Sequence, residues 1–324
     1  MNQTNLPSNS LPTRKLGKTG LKVSCIGYGG WAIGGNAFGN SYGDTDDAES
    51  RAAIRRALEL GVTLFDTADI YGHGHSEALL GEVLQEWNGP QPVVVTKGGI
   101  NFYRQDGTLE QDWTPYAIAH AVQQSLDRLR RESLDVFLLM SPPVEELDRW
   151  KAWETLEALK VSGKIRAYGV SVADPQDAVW LIKNNLPVEV IEIAYSIFYQ
   201  GATVELLPLA RRHKVGILAR EPLANGFLSG KYHADAVFTE GDIRASLPPE
   251  YLQAMAEMAG HLDFLTRDGE RSLTQAALRF VLDDPAVTSV VVGAKTVDQV
   301  EENVRAALVP PIDDTERMRI SQIF

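Results

Sequence analysis

Short apolar runs of about five residues alternate along this chain with longer segments whose apolar residues recur at helical spacing. After a polar start, MNQTNLPSNSLP, two short runs flank Gly17-Lys18-Thr19-Gly20, which predicts a β-hairpin. The apolar runs then predict strands at 25–27, 62–66, 93–97, 136–140, 167–171, 190–195, 216–220 and 287–292. Helical periodicity covers 50–60, 76–86, 115–130, 148–160, 175–184, 203–213, 249–267, 273–282 and 296–307. Gly61 stops the first helix and Pro115 opens the third. The strands barely alternate, as expected where both faces are buried in a parallel sheet.

About eight strand–helix units without a linker predict an α/β chain folded as a (β/α)8 TIM barrel with an N-terminal β-hairpin. Residues 13–324 then form a single barrel domain and 1–12 a flexible tail. An open, doubly wound sheet is the alternative. It requires G-x-G-x-x-G opening a helix, a pattern that Gly27, Gly29, Gly30, Gly34 and Gly35 do not complete. That cluster reads instead as a flexible rim loop.

Composition narrows the partners. Of 324 residues, 31 are Lys or Arg and 43 Asp or Glu, a net charge of −12, which disfavours nucleic acid. One cysteine excludes an intramolecular disulfide and a cysteine-based zinc site, and no metal is expected. No apolar run approaches a membrane span and the start lacks a secretory pattern, so a cytoplasmic protein with no membrane partner is expected. The partner expected is a small-molecule substrate, with the chain a monomer or homo-oligomer.

Chemistry in such barrels gathers at the C-terminal strand ends. Those ends carry Asp66, Lys97, Met140, Ser171, Glu192, Arg220 and Gly293, with Tyr71 five residues beyond Asp66. A phenol ordinarily titrates near about 10, too high for ready donation at neutral pH. A neighbouring ammonium lowers it. Tyr71 therefore reads as a general acid/base, Lys97 as its tuner and Asp66 as the anchor of Lys97. Trp31 and Phe38 on the first rim loop are candidates for a substrate pocket wall, as are Tyr103 and Trp113 beyond the third strand.

Several segments together carry a family resemblance. FDTADIYGHGHSEALLGEVL (65–84), VVVTKGG (93–99), GKIRAYGVSV (163–172), EPLANGFLSGKY (221–232) and VVVGAKTVDQVEENVRA (290–306) resemble, in order, motifs of the aldo-keto reductases. The resemblance runs from about Arg14 to Leu308. It implies hydride transfer between a nicotinamide cofactor, NADP with NAD possible, and a small carbonyl or alcohol, with Asp66, Tyr71 and Lys97 catalytic. It further implies that Pro222, Leu223, Asn225, Gly226, Leu228 and Gly230 clasp the cofactor's pyrophosphate, while Arg220 at the end of the seventh strand is a candidate contact to the cofactor, to a substrate anion or to a neighbouring carboxylate. Gly293, Lys295, Thr296, Gln299, Glu302 and Asn303 would hold the cofactor's adenosine end. Gly293 and Thr296 frame a helix N-terminus, which suits a phosphate, and Lys295 would pair with a 2′-phosphate. Gln299 stands where many members have arginine.

Three departures cluster in the implied site. The catalytic histidine of the family falls on Met140, whose thioether cannot donate a hydrogen bond. Loss of one such donor costs roughly 2.7–4 kcal/mol, about 10²–10³ in rate. His73 and His75 are the nearby candidates to substitute. The family's Ser-Asn after the fifth strand is Ser171-Val172, and its Gln at the sixth strand end is Glu192. Besides a carbonyl oxidoreductase, two other classes stay open: altered chemistry on the same fold (C=C reduction, elimination or isomerisation), and a nucleotide-binding module without turnover.

Overall fold

The eight strands predicted for the barrel close on themselves in the computed structural model, which describes residues 11–38, 41–102, 109–233 and 235–324. The hairpin is β1 (Thr13–Lys15) with β2 (Lys22–Ser24). The barrel strands are β3 (Ile26–Gly29), β4 (Leu64–Asp66) and β5 (Val93–Gly98), followed after a short ribbon of β6 (Ile100–Asn101) and β7 (Glu110–Gln111) by β8 (Leu134–Met140), β9 (Ile165–Ser171), β10 (Val190–Ala194), β11 (Gly216–Arg220) and β12 (Val287–Gly293). They pair in sequence order, all parallel, and β12 returns to β3, so the chain is a (β/α)8 barrel rather than an open sheet. Of the expected tail, residues 1–10 lie outside the described residues. Leu11 is buried, and the Pro12 carbonyl accepts from the Cys25 N–H at 2.8 Å.

A strand's two faces alternate, and that period sorts this barrel. Leu64, Val95, Val136, Leu138, Ala167, Val190, Leu218 and Val291 form one inner cluster, closed by Leu16, Leu21 and Val23 of the hairpin. The hairpin is thus the floor of the barrel. Phe65, Val94, Phe137, Leu139, Tyr168, Ile191, Ile217 and Val292 belong instead to the outer core under the helices. Two positions beyond Leu64, Val95, Leu138, Val190, Leu218 and Val291 come Asp66, Lys97, Met140, Glu192, Arg220 and Gly293. Strand register therefore carries the polar layer to the inside of the mouth, directly above an apolar floor.

The helices are α1 (Asp47–Glu59), α2 (His75–Glu86), α3 (Pro115–Leu129), α4 (Ala152–Val161), α5 (Pro175–Lys183), α6 (Leu206–His213), α7 (Pro249–Gly260), α8 (Leu273–Leu282), α9 (Val297–Arg305) and α10 (Asp314–Ile323). Three depart most from the periodicity. The α4 helix starts late because Lys151 is left-handed, and α7 ends at Gly260, where the expected continuation becomes a separate 3-10 segment, Asp263–Gly269, itself broken by left-handed Arg267 and Asp268. The α10 helix lies beyond the last predicted one, although Asp313 and Glu316 form a capping box that marks its start.

That final helix is anchored by charge. Glu316 accepts from Arg267 at 2.8 Å and from the buried Arg271 at 2.6 Å. Burial pushes the Glu316 carboxyl up, but the bonds from Arg267, the Asp313 backbone and Arg271 outweigh it and hold it at about 2. A depressed carboxylate contributes stability that is present above its unfolded value and is lost as pH falls through about 2. Glu316→Gln is expected to cost about 1.5–3 kcal/mol at neutral pH. Urea unfolding should show that deficit shrinking on acidification, and an equal deficit at pH 7 and pH 3 would contradict the ion-pair account.

Candidate active site

The site begins where β4 ends. Past Asp66 the chain keeps bonding to β5: Thr67 N–H donates to Val95 O at 2.8 Å and Asp69 N–H to Lys97 O at 3.0 Å. This extension sets Tyr71 beside Lys97. The Tyr71 loop is held from the other side by the turn at Ala32–Gly34. A side chain on Gly72, whose φ is +61°, would place Cβ only 2.0 Å from Gly34 O. The glycines read as a flexible rim loop are a correction here, because Gly27 and Gly29 lie inside β3 and Gly34 is a close-packing position. Flexibility is not what their missing side chains provide; close approach of backbone is.

Lys97 is fully buried below Tyr71, with Nζ 5.1 Å from the ring centroid. It donates to both Asp66 oxygens at 2.6 Å and to Thr67 O at 2.9 Å. Glu192 is a second carboxylate on the same ammonium. Its Oε2 lies 3.1 Å from Nζ, but out of hydrogen-bond alignment, so that buried oxygen has no hydrogen-bond donor among the described residues. Glu192 Oε1 accepts from Ser171 Oγ at 3.0 Å. Arg220 pairs with Glu221, donates to Val172 O at 3.1 Å and stands 4.0 Å from Glu192.

Electrostatics correct one expectation. Burial raises the Tyr71 phenol above its ordinary value; Lys97 pulls it down, but Asp66 and Glu192 push it up again. Desolvation wins because Lys97 already shares its charge with two carboxylates. For Lys97 itself burial opposes the charge, yet Asp66 and Glu192 outweigh it and keep it protonated. Burial and then the Glu192 charge raise Asp66, whereas Lys97, a hydrogen bond with Asp66 and then Arg220 overcome burial to hold Glu192 down. Tyr71 is accordingly a neutral phenol, a proton donor rather than a standing phenolate.

Asp66, Tyr71, Glu192 and Arg220 line a cavity of about 500 Å³. It reaches from the end of β8, at Met140 and Ser141, across the mouth to α9 after β12. Trp31, Asp66, Tyr71, Ser171, Glu192, Arg220, Pro222, Leu223, Asn225, Gly226, Gly293, Lys295, Gln299, Glu302 and Asn303 all border it. Several other sequence candidates do not. Phe38 is 57% exposed and stacks on His73 with centroids 3.7 Å apart, so it is a rim residue and not a cavity wall. Leu228 is fully buried in the core, Gly230 packs near Leu273, and Thr296 spends its hydroxyl capping α9. Lys97 acts from beneath the cavity. Trp113 is buried in the core, and Tyr103 lies outside the described residues. His73 is sandwiched between Phe38 and Phe102, and His75 pairs with Asp47 at 2.9 Å, so neither replaces the donor missing at Met140.

Residues that the sequence reading passed over form a clasp over the end of β12. Tyr42 of the first rim loop donates from its hydroxyl to Asn225 Oδ1 at 2.8 Å. Ile243 N–H donates to Ser41 O at 2.9 Å. Arg244 is held by Asp242 at 2.6 Å and lies over the rings of Tyr42, Tyr232 and Phe238. Lys295 Nζ donates to the carbonyls of Tyr42, Gly43 and Asp44 at 2.5, 3.3 and 2.9 Å. The ammonium expected to face a 2′-phosphate thus holds the rim loop in this structure.

Comparison with known proteins agrees with this architecture. The model of the Aldo/keto reductase family matches residues 26–324. An aldo-keto reductase of Bacillus subtilis is 32% identical over 299 residues, covering 87% of this chain and 85% of its own. An NADH-specific methylglyoxal reductase of Escherichia coli is 30% identical, covering 90% and 92%. The solved glycerol dehydrogenase of Gluconobacter oxydans superposes with a TM-score of 0.81 at 29% identity, over 96% of this chain and 94% of that one.

Proposed function

The chain belongs to the aldo/keto reductase family of oxidoreductases, and from that premise we propose that it reduces a small carbonyl, or oxidises the corresponding alcohol, with NAD(P)(H). The observation that carries this reading is the buried Asp66–Lys97 pair directly beneath the neutral Tyr71 phenol, within a cavity long enough to span the mouth. Such a cofactor, when bound, supplies or accepts the hydride. The residues present suit it. The buried Glu192 Oε2, ion-paired with Lys97 but with no aligned hydrogen-bond donor among the described residues, could accept from a group such as a carboxamide NH₂. Ser171 and Glu192 would hold that end, Arg220, Pro222, Leu223, Asn225 and Gly226 the middle, and Lys295, Gln299, Glu302 and Asn303 the adenosine end.

The work of this chain is the proton. As charge gathers on the carbonyl oxygen, Tyr71 gives its hydroxyl proton to that oxygen, and Lys97 stabilises the phenolate left behind. In the reverse direction the phenolate is the competent form, so alcohol oxidation rises with pH. A second reading, altered chemistry on the same fold, is favoured by Glu192, a carboxylate on Lys97 where an amide was expected.

Fluorescence titration of the purified protein with NADPH and NADH is the test. Saturable binding supports the proposal, and binding of neither cofactor would sink it. The order of the two affinities reads whether Lys295 leaves its carbonyls for a 2′-phosphate. Bound NAD(P)H that activated C=C compounds oxidise, while no aldehyde does, would replace the first reading by the second.

A further inference from the structure

Met140 leaves the end of β8 without a donor, yet the next residue is built as one. Ser141 has φ +51°, the left-handed region that a non-glycine residue enters at a cost. The turn is held there from two sides. Ser141 N–H donates to Ser171 O at 2.7 Å, and Ser141 O accepts from Gln111 Nε2 at 3.2 Å. With both backbone groups tied, the direction of the Cα–Cβ bond is set. Ser141 is exposed and borders the same cavity as Tyr71 and Met140, and its Oγ has no hydrogen-bond partner among the described residues.

Other donors nearby are engaged. Lys97 is enclosed by Asp66 and Glu192, Ser171 Oγ is spent on Glu192, and Arg220 on Glu221 and Val172 O. Met140 itself packs into the apolar cluster of Ala68, Ile70, Tyr71 and Phe102. We propose that Ser141 Oγ is a catalytic residue: its hydroxyl donates the second hydrogen bond to the carbonyl oxygen, alongside Tyr71, in place of the histidine absent at position 140. The proposal rests on the carbonyl-reduction reading above. In the balanced step the carbonyl carbon gains a hydride from the reduced cofactor, the C=O π pair moves to oxygen, and the Tyr71 proton passes to that oxygen. Ser141 keeps its own proton and contributes only the hydrogen bond.

Steady-state reduction of a panel of small aldehydes by wild type, Ser141→Gly and Ser141→Asn tests this. Glycine removes the hydroxyl while relaxing the left-handed backbone, so the variant has no reason to misfold. Asparagine keeps a donor and tolerates that backbone. Ser141→Gly is expected to lose about 10²-fold in kcat and in kcat/KM alike, the signature of a contact made in the transition state. Its NAD(P)H affinity and melting temperature should match wild type. Ser141→Asn should retain more activity than Ser141→Gly. An active wild type whose glycine variant is equally active, or outperforms the asparagine variant, overturns the role of Ser141 alone. A wild type that binds cofactor but reduces no carbonyl overturns the underlying reading and this inference with it.

Discussion

Tyr71→Phe is expected to lower carbonyl reduction by about 10²–10⁴-fold while NAD(P)H still binds. The substitution removes one oxygen and leaves the ring in place between Trp31, stacked at 6.1 Å, and the Lys97 ammonium at 5.1 Å. A loss confined to kcat would therefore report proton delivery and not collapse of the wall. Because burial holds the phenol protonated, wild-type reduction should stay level through neutral pH and decline only under alkaline conditions. Alcohol oxidation should climb over the same range. Stopped or steady-state assays in both directions provide the profile. A Phe variant with wild-type kcat would remove Tyr71 from the chemistry.

The largest effect on stability is expected from Lys97→Met. Lys97 is wholly enclosed and is the ammonium between Asp66 and Glu192, which are 4% and 1% exposed. Removing the cation strands two buried carboxylates, and breaking a buried pair in this way costs roughly 3–5 kcal/mol. The sign with pH follows. Without Lys97, desolvation and mutual repulsion raise both carboxyl groups above their unfolded values. Folding then favours their protonated forms, so the variant is closest to wild type in acid and falls behind as pH rises through the raised values. Chemical denaturation at pH 5 and pH 8 should show the gap widening at the higher pH. A gap of equal size at both would mean that lost packing, not stranded charge, is the cause.

Much of this architecture was legible because strands repeat every two residues. Once the apolar runs were placed, the last polar residue of each necessarily fell at the mouth, and Asp66, Lys97, Ser171, Glu192 and Arg220 are found there. The direction of the Tyr71 shift was not legible. Sequence displays a neighbouring lysine but neither the depth of burial nor the second carboxylate that divides the lysine's charge. The clasp escaped for another reason. Tyr42 and Asn225 stand 183 positions apart on irregular loops, where no periodicity tells which side chains will meet. The side chains of Phe38 and Leu228 do not border the cavity, because a motif locates a loop but not the way each side chain turns from it. The α10 helix, in contrast, was announced by Asp313 and Glu316 and needed only the capping pattern to be sought.

The clasp has a kinetic meaning. Tyr42 to Asn225, Lys295 to three successive carbonyls, and Arg244 packed among three rings all join loops across the β12 end of the cavity. If the proposed dinucleotide lies along that path, its departure would require this set of contacts to part, at a tempo belonging to the protein and not to the substrate. Fast substrates would then converge on one common turnover ceiling, set by the dwell time of the spent cofactor.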